Sequence, residues 1–299
     1  MPSPLARYPA RMSDTFSALA PAKLNLTLRV LGRRPDGFHD LESLVVRLAW
    51  GDEVSVRRAP AGQLTLDVDD PATPADDTNL VVRAGRALAE HAGIAAGAHI
   101  ILRKRIPPGT GLGGASSDAA TTLRLLNRLW KLGLGTEELV RLGTRLGSDV
   151  PLFFHRPVCV LRGRGELVED LDLRLSGHVL LVLPPVACST PAVYAEWDRL
   201  DAHPHRPDLC AVTAALGRPD ELMALCFNDL EPAAYRVAPA LAELASRISE
   251  ATGLAVRMTG SGAAFFRVFS THAAAMRFAQ GVAEIAPVRT IVTAPARNS

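Results

Sequence analysis

The chain has 299 residues, of which 48% are apolar and 21% charged, with 33 Lys and Arg against 31 Asp and Glu. That length holds one large domain or two of about 150 residues, each with a sizeable core. A charge balance so close to neutral gives no electrostatic reason for nucleic acid or a membrane surface as a partner, and no apolar run reaches the length of a membrane span.

Met1 to Ser13 carries two arginines, several prolines and no long apolar core, which is not a signal-peptide pattern. Residues 1–17 are therefore expected to form a flexible extension. Cys159, Cys188, Cys210 and Cys226 lack CxxC spacing and each sits beside apolar residues. Buried thiols of a reducing compartment look like this, so a cytoplasmic location is expected.

Ala22 to Val30 reads as a strand, with Leu24, Leu26, Leu28 and Val30 on one face. Lys23, Asn25, Thr27 and Arg29 fall on the other, as solvent-facing residues or as a polar site at the strand's start. Pro35-Asp36-Gly37 is a turn signal. It delivers Phe38 and His39 at its exit, in a plain surface turn or at a binding site. Leu41 to Trp50 is a strand ending at Gly51-Asp52. Glu53 to Arg57 and Leu64 to Val68 alternate like hairpin strands. A polar loop from Asp70 to Asp77 leads to a helix capped by Thr78 and running to His91.

Ala98 to Arg105 reads as a further strand and is followed by Pro107-Pro108-Gly109-Thr110-Gly111-Leu112-Gly113-Gly114-Ala115-Ser116-Ser117-Asp118. Ala119, Leu123, Leu126 and Trp130 then recur at helical spacing. A strand, a glycine turn and a helix start together gather backbone N–H groups and the positive end of the helix dipole at one point, an anion cradle whose usual guest is phosphate. The loop has no Walker lysine, and its glycine spacing is not that of the dinucleotide fingerprint.

After Gly133-Leu134-Gly135, Thr136 is expected to cap a short helix with Glu137 and Glu138 in its first turn. In Ser148-Asp149-Val150-Pro151, Pro151 biases Val150 toward an extended form, and Asp149 is either a cap or a reactive acid. Val158 to Arg162 and Val179 to Leu183 are strands, with a domain change between residues 160 and 175. Thr190-Pro191 opens a helix containing Tyr194, and His203 to Pro207 is loop. Short helical pieces span Ala211 to Leu216 and Pro219 to Leu225, and a long amphipathic helix is expected from Tyr235 to Thr252. Leu254 to Met258 and Ala263 to Phe269 flank a second glycine turn, Thr259-Gly260-Ser261-Gly262. Ala273 to Gly281 is helical and Thr290 to Thr293 a last strand. The alternation suggests layered α+β domains.

The stretch from Pro108 to Ala119 resembles the phosphate loop of the GHMP small-molecule kinases. Pro21-Ala22-Lys23-Leu24-Asn25-Leu26, Gly32-Arg33-Arg34-Pro35-Asp36-Gly37-Phe38-His39, Gly147-Ser148-Asp149-Val150-Pro151, Asn228-Asp229-Leu230-Glu231 and Thr259 to Gly262 are similar, in order, to one branch of that family. The resemblance covers residues 18 to 295. Two positions depart from the branch: tyrosine often precedes the histidine where this chain has Phe38, and asparagine is common where Asp118 stands.

The resemblance implies an α+β two-domain GHMP kinase fold, mixed sheets packed with helices and an active site in the cleft between domains. An ATP-binding domain is expected at residues 18–165 and a second domain, contributing to the substrate site, at 166–299. It further implies phosphorylation by ATP of the tertiary 2-hydroxyl of a methylerythritol bearing a cytidine diphosphate group. Lys23 and Asp149 are then catalytic, Asp149 as general base. Pro108, Gly109, Thr110, Gly111, Leu112, Gly113, Gly114, Ala115, Ser116 and Ser117 hold the nucleotide phosphates, with Asn79 and Lys104 beside the adenosine. Asn25, Phe38, His39, Asp149, Thr190 and Tyr194 face the substrate, with Phe38 and Tyr194 as the two faces of a base sandwich and His39 reading the base edge. Ser116 or Ser117 helps to hold Mg²⁺. A GHMP kinase for another small alcohol such as homoserine, and a non-catalytic nucleotide-binding regulatory module, remain alternatives, and a monomer and a homodimer are both open.

Overall fold

The computed structural model describes residues 15–200 and 206–297. The expected extension up to residue 14, and His203 to His205 of the expected loop, lie outside the described residues. Phe16 and Ser17, expected in the extension, instead open the first strand.

β1 (Phe16–Asn25) and β2 (Thr27–Arg33) divide the expected single strand at Leu26, whose N–H donates to Leu44 O at 2.8 Å. Both pair antiparallel with β3 (His39–Ala59), a strand of 21 residues. The expected break at Gly51-Asp52 is absent. Gly51 marks a close approach of two backbones rather than a turn: a Cβ there would lie 2.0 Å from Ala20 O. The partner strand shifts register between Pro21 and Lys23, directly opposite.

β4 (Leu64–Val68) and β5 (Gly97–Arg103) run parallel, with β5 antiparallel to β3. The helix between them, α1 (Leu80–His91), is capped by Asn79 and not by Thr78. Asn79 Oδ1 accepts from Val81 N at 2.9 Å, while the Thr78 hydroxyl is held by Asp76. α2 (Gly114–Trp130) packs its Leu123, Leu126 and Leu129 into the core beneath the sheet, and α3 (Thr136–Leu146) follows. Gly135 stands at the α3 N-cap where Thr136 was expected, its N–H donating to Glu138 Oε2 at 3.0 Å. A 3-10 turn, Pro151–Phe154, leads to the hairpin of β6 (Val158–Arg162) and β7 (Leu167–Asp170) on the far end of β3.

The second domain starts with β8 (His178–Leu183) and α4 (Thr190–Trp197). α5 (Leu209–Ala214), α6 (Pro219–Leu225) and the two-residue β9 (Phe227–Asn228) follow. The long helix expected from Tyr235 is two helices, α7 (Glu231–Val237) and α8 (Pro239–Thr252). Pro239 has no N–H to continue α7 and instead occupies the first turn of α8. β10 (Arg257–Met258), β11 (Phe265–Phe269), α9 (His272–Ile285) and β12 (Arg289–Thr293) complete a four-stranded antiparallel sheet, β10-β11-β8-β12.

The expected boundary at residue 165/166 would cut the β6–β7 hairpin. β7 pairs with β6 in the first sheet, so the change of domain falls between Asp170 and His178. The separation is incomplete as well, because β9 joins the first sheet parallel to β2. Leu24 and Leu44 of that sheet share a core with Leu181 and Phe266 of the other.

Gly51→Ala is expected to destabilise the fold by about 3 kcal/mol or more, because the obstructing atoms are backbone and cannot yield. Gly217, which has nothing within 4 Å of a built Cβ and no left-handed φ, is the control, and Gly217→Ala should stay within about 1 kcal/mol of the parent. Urea denaturation of the two variants measures the difference.

Candidate functional site

A cleft of about 830 Å³ runs between the domains. Its floor is the glycine stretch. Gly109, Gly111 and Gly113 all have left-handed φ, of 68°, 74° and 73°, so alternate residues turn the backbone the way only glycine does without strain. Gly113 is the N-cap of α2, and no side chain caps that helix. Its first N–H groups are thus left for an anion at the positive end of the dipole. Pro108, Thr110, Leu112, Gly114 and Ala115 line the same floor.

The two expected serines differ. Ser116 lines the cleft, whereas Ser117 is fully buried away from its wall, its Oγ without a partner. One residue along a helix turns the side chain by about 100°, which carries Ser117 toward the core. Ser116 is accordingly the serine that fits a metal. Among the described residues no group of three His, Cys, Asp or Glu converges on a metal site. A single hydroxyl suits Mg²⁺ carried mainly by phosphate oxygens and water.

Lys23, Asn25 and Thr27 are buried, not solvent-facing. Lys23 Nζ donates to Asn25 Oδ1 at 2.5 Å and lies 3.8 Å from Asp149 Oδ2. Asn25 Nδ2 donates to Ser43 Oγ at 2.7 Å, and Asn25 N donates to Thr259 Oγ1 at 2.9 Å. Asn25 lines the cleft, yet both ends of its amide are engaged, Oδ1 by Lys23 and Nδ2 by Ser43. Burial lowers the Lys23 pKa and the Asp149 charge raises it in part; the net shift is downward.

Asp149 caps no helix. Val150 holds the N-cap of the 3-10 turn, which has no side-chain cap, so the Asp149 carboxylate is left to face Lys23. Val150 is not extended but helical, at φ −64° and ψ −42°. Its N–H reaches Gly147 O at 3.2 Å, and its side chain fits against Gly143, where a Cβ would come within 2.9 Å. Arg47, the cross-strand partner of Lys23, donates to Phe153 O at 3.2 Å and His155 O at 2.5 Å and so fixes the turn behind Asp149. Nothing local in the sequence singles Arg47 out.

Asn79 and Lys104 line one end of the cleft with Thr73 and Pro74. Lys104 Nζ donates to Asp52 Oδ2 at 2.6 Å and to Asp118 Oδ2 at 2.8 Å. Burial alone would lower its pKa; the two carboxylates outweigh it and raise it. Asp118, the departure beside the phosphate loop, shares that cation with Asp52, and burial still pushes its carboxyl up to about 7.

At the other end lie Phe38, His39, Thr190 and Tyr194. Of the two expected faces of a base sandwich, Tyr194 is met by His39 and Phe38 stands at the rim. His39 stacks on Tyr194, with centroids 4.8 Å apart and planes at 26°, and meets Trp197 edge-on at 5.5 Å. Phe38 is 52% exposed at the rim, beneath the Arg164 guanidinium at 4.8 Å. Thr190 Oγ1 is 2.7 Å from Ser261 Oγ on the second glycine turn. His39 Nε2 lies 2.6 Å from Asp198 Oδ1, a partner the sequence reading missed. Its position four residues after Tyr194, on the same helical face, was the available signal. Burial pushes the Tyr194 hydroxyl up to about 12, with Asp149 adding to the shift.

Models described as the GHMP kinases N terminal domain and GHMP kinases C terminal match residues 79–156 and 210–287. A 4-diphosphocytidyl-2-C-methyl-D-erythritol kinase of Salinibacter ruber is 38% identical over 265 residues, covering 86% of this chain and 90% of that protein. One of Methylococcus capsulatus is 40% identical over 260 residues, covering 87% and 84%. A crystal structure of a 4-(cytidine 5'-diphospho)-2C-methyl-D-erythritol kinase matches at a TM-score of 0.79 and 33% identity, over 95% of this chain and 100% of that one. Homoserine kinase from Cytophaga hutchinsonii matches at a TM-score of 0.72 over 96% and 97% of the two chains, but at 19% identity it shares the fold alone.

Lys23 should titrate below its ordinary 10.5. Because Asp149 supplies the opposing, raising contribution, Asp149→Asn should move it lower still. Carbon-13 NMR of the Lys23 Cε across alkaline pH reads both effects, and a midpoint at or above 10.5, or one unmoved by Asp149→Asn, contradicts this electrostatic picture.

Proposed function

The chain belongs to the 4-diphosphocytidyl-2-C-methyl-D-erythritol kinases of the GHMP kinase superfamily, and from that premise we propose how its cleft carries out the reaction. The activity is ATP-dependent phosphorylation of the substrate's 2-hydroxyl, giving the 2-phosphate and ADP, in non-mevalonate isoprenoid precursor synthesis. The observation that carries the residue assignments is the Lys23–Asp149 pair, 3.8 Å apart in the cleft of the uncapped α2 helix.

A tertiary alcohol is a weak nucleophile, and its phosphorylation depends on alignment and on stabilising charge at the transferring group. ATP lies with its adenosine near Asn79 and Lys104 and its phosphates on the floor from Pro108 to Ser116. The amide N–H groups of the glycine turn and of the α2 start face the β- and γ-phosphates. Ser116 is the residue that would hold Mg²⁺, which when bound supplies neutralisation of phosphate charge.

Asp149 accepts the hydroxyl proton as the oxygen–phosphorus bond forms. Lys23, oriented by Asn25, directs positive charge toward the phosphoryl oxygens. The cytidine end of the substrate lies against His39, Tyr194 and Phe38. A base joined edge-on to the His39 imidazole lies in the imidazole's plane and therefore also over Tyr194, with Phe38 positioned at the rim to cover it. This aromatic end favours a cytidine-bearing substrate over homoserine, which has no ring to occupy it. The pairing of a carboxylate with Lys23 beside the phosphate floor favours catalysis over nucleotide binding alone.

A cytoplasmic location is part of the same proposal, supported by the buried free thiols of Cys159, Cys188 and Cys226; Cys210, expected to be buried with them, is exposed.

Asp149→Asn should lower kcat by roughly 10²–10⁴ while both substrates still bind, and Lys23→Met should lower kcat as well. Single-turnover kinetics with separate calorimetric titrations of ATP and substrate make the test. A folded Asp149→Asn variant within about threefold of the parent kcat would remove Asp149 from the base role.

A further inference from the structure

Asp198 lies at the C-terminal end of α4, four residues beyond Tyr194. Its Oδ1 is 2.6 Å from His39 Nε2, and its Oδ2 is 3.7 Å from Arg33 Nη1. An ionised carboxylate has acceptor oxygens only, so the hydrogen in the short contact sits on Nε2 of the ring. In a neutral imidazole the other nitrogen, Nδ1, is then a lone-pair acceptor. The ring is not free to exchange this arrangement for another by rotating. It is buried, stacked on Tyr194 and blocked edge-on by Trp197. His39 lines the cleft, and the described residues supply no hydrogen-bond partner for Nδ1.

We propose that Asp198 fixes the tautomer of His39 and thereby makes the base end of the cleft select an aminopyrimidine over its keto counterpart. The chemistry follows from the edges of the two bases. Cytosine presents an exocyclic amine, a donor that pairs with a lone pair on Nδ1. Uracil presents a carbonyl oxygen at the same place, and its lone pairs would oppose those of Nδ1. With the tautomer reversed, the imidazole would present N–H and the preference would invert. Asp198 touches neither the base nor the reacting atoms in this scheme; it is a positioning residue that sets specificity through His39. Arg33 contributes by standing 3.7 Å from the second carboxylate oxygen, which helps to hold the carboxylate in place.

The inference rests on the proposed placement of the cytidine, and the test separates the two. Titrations of CMP and UMP into the parent should show CMP bound at least about tenfold more tightly, a difference of about 1.4 kcal/mol. Asp198→Ala should bring the two nucleotides within about threefold of each other, and the loss with full substrate should fall on KM rather than on kcat. Asp198→Asn, which keeps an acceptor oxygen, should restore a large part of the preference. Nitrogen-15 NMR of the imidazole should report the Nε2–H tautomer in the parent and a mixture in Asp198→Ala.

If His39→Ala leaves the CMP preference intact, the base does not lie at His39 and the placement itself is wrong. If His39→Ala abolishes the preference but Asp198→Ala retains it, the placement stands and the role of Asp198 is overturned. An Nδ1–H tautomer in the parent overturns that role without any variant.

Discussion

The structure depends on a contact between two stretches of bare backbone. A Cβ on Gly111 would sit 2.4 Å from Thr259 O, and one on Gly260 would sit 3.0 Å from Gly111 O. Two glycine turns, one from each domain, therefore touch where no side chain fits. The contact is stitched by hydrogen bonds: Ala263 N donates to Gly109 O at 3.1 Å and Ala264 N to Thr110 O at 3.2 Å. The glycine floor is thus the seam between the domains, not a loop hung from one of them. Asn228 holds the second turn from behind, donating to Met258 O and Gly260 O, while Glu231 accepts from Met258 N. Thr259 closes the circuit by accepting from Asn25 N, next to Lys23 in space and two residues from it in sequence. A loop that binds highly charged phosphates is most useful when its N–H groups are already in position, because no free energy is then lost in arranging them.

Two buried lysines illustrate how the same chain sets opposite electrostatic outcomes. Lys104 meets two carboxylates, at 2.6 Å and 2.8 Å, and its charge is reinforced despite burial. Lys23 meets one, at 3.8 Å, and burial wins. Desolvation acts on both; the number and distance of the partners decide the sign. Lys104, paired with two carboxylates, links β3 and α2 at one end of the cleft. Lys23 is undersatisfied, the condition in which a further anion at the phosphate floor is attracted most strongly.

Much of this was legible in the amino-acid sequence where a local rule sufficed. The glycine turn between strand and helix, the Pro35-Asp36-Gly37 turn and the proline-led start of α4 each follow from the conformational limits of glycine and proline. The reading failed where a distant partner decided the outcome. Gly51 is a turn signal in isolation, but Ala20 presses against it and β3 runs straight through. Val150 should be extended before a proline, but Gly143 leaves it a pocket in the helical conformation. Alternation put Lys23, Asn25 and Thr27 on one face but could not choose between solvent and a polar site; the second domain decides it by reaching that face through Thr259. Asn228 stood out only through a family motif; in space it supports the second glycine turn. Asp198 was hidden for a different reason: a lone acid near the end of a helix has an ordinary meaning until its neighbour across the cleft is known.

The geometry of Lys23 and Asp149 bears on whether they are simply an ion pair. A pair kept for structure gains most from short, well-aligned contacts that replace the lost hydration of both charges. Here the shortest contact of Lys23 is to the neutral Asn25, not to Asp149. Asp149 keeps 38% of its side chain exposed to the cleft, so it retains access to a ligand's proton. A tight, bidentate pairing would occupy the oxygens that a base requires. A carboxylate farther away would lose the attraction of the ammonium. The observed separation lies between these limits, with Asn25 fixing the lysine from one side and the Arg47-braced turn fixing the acid from the other. Each group is thus held by its own partner, Lys23 by Asn25 and the turn of Asp149 by Arg47, and the 3.8 Å ion pair between them does not position either one.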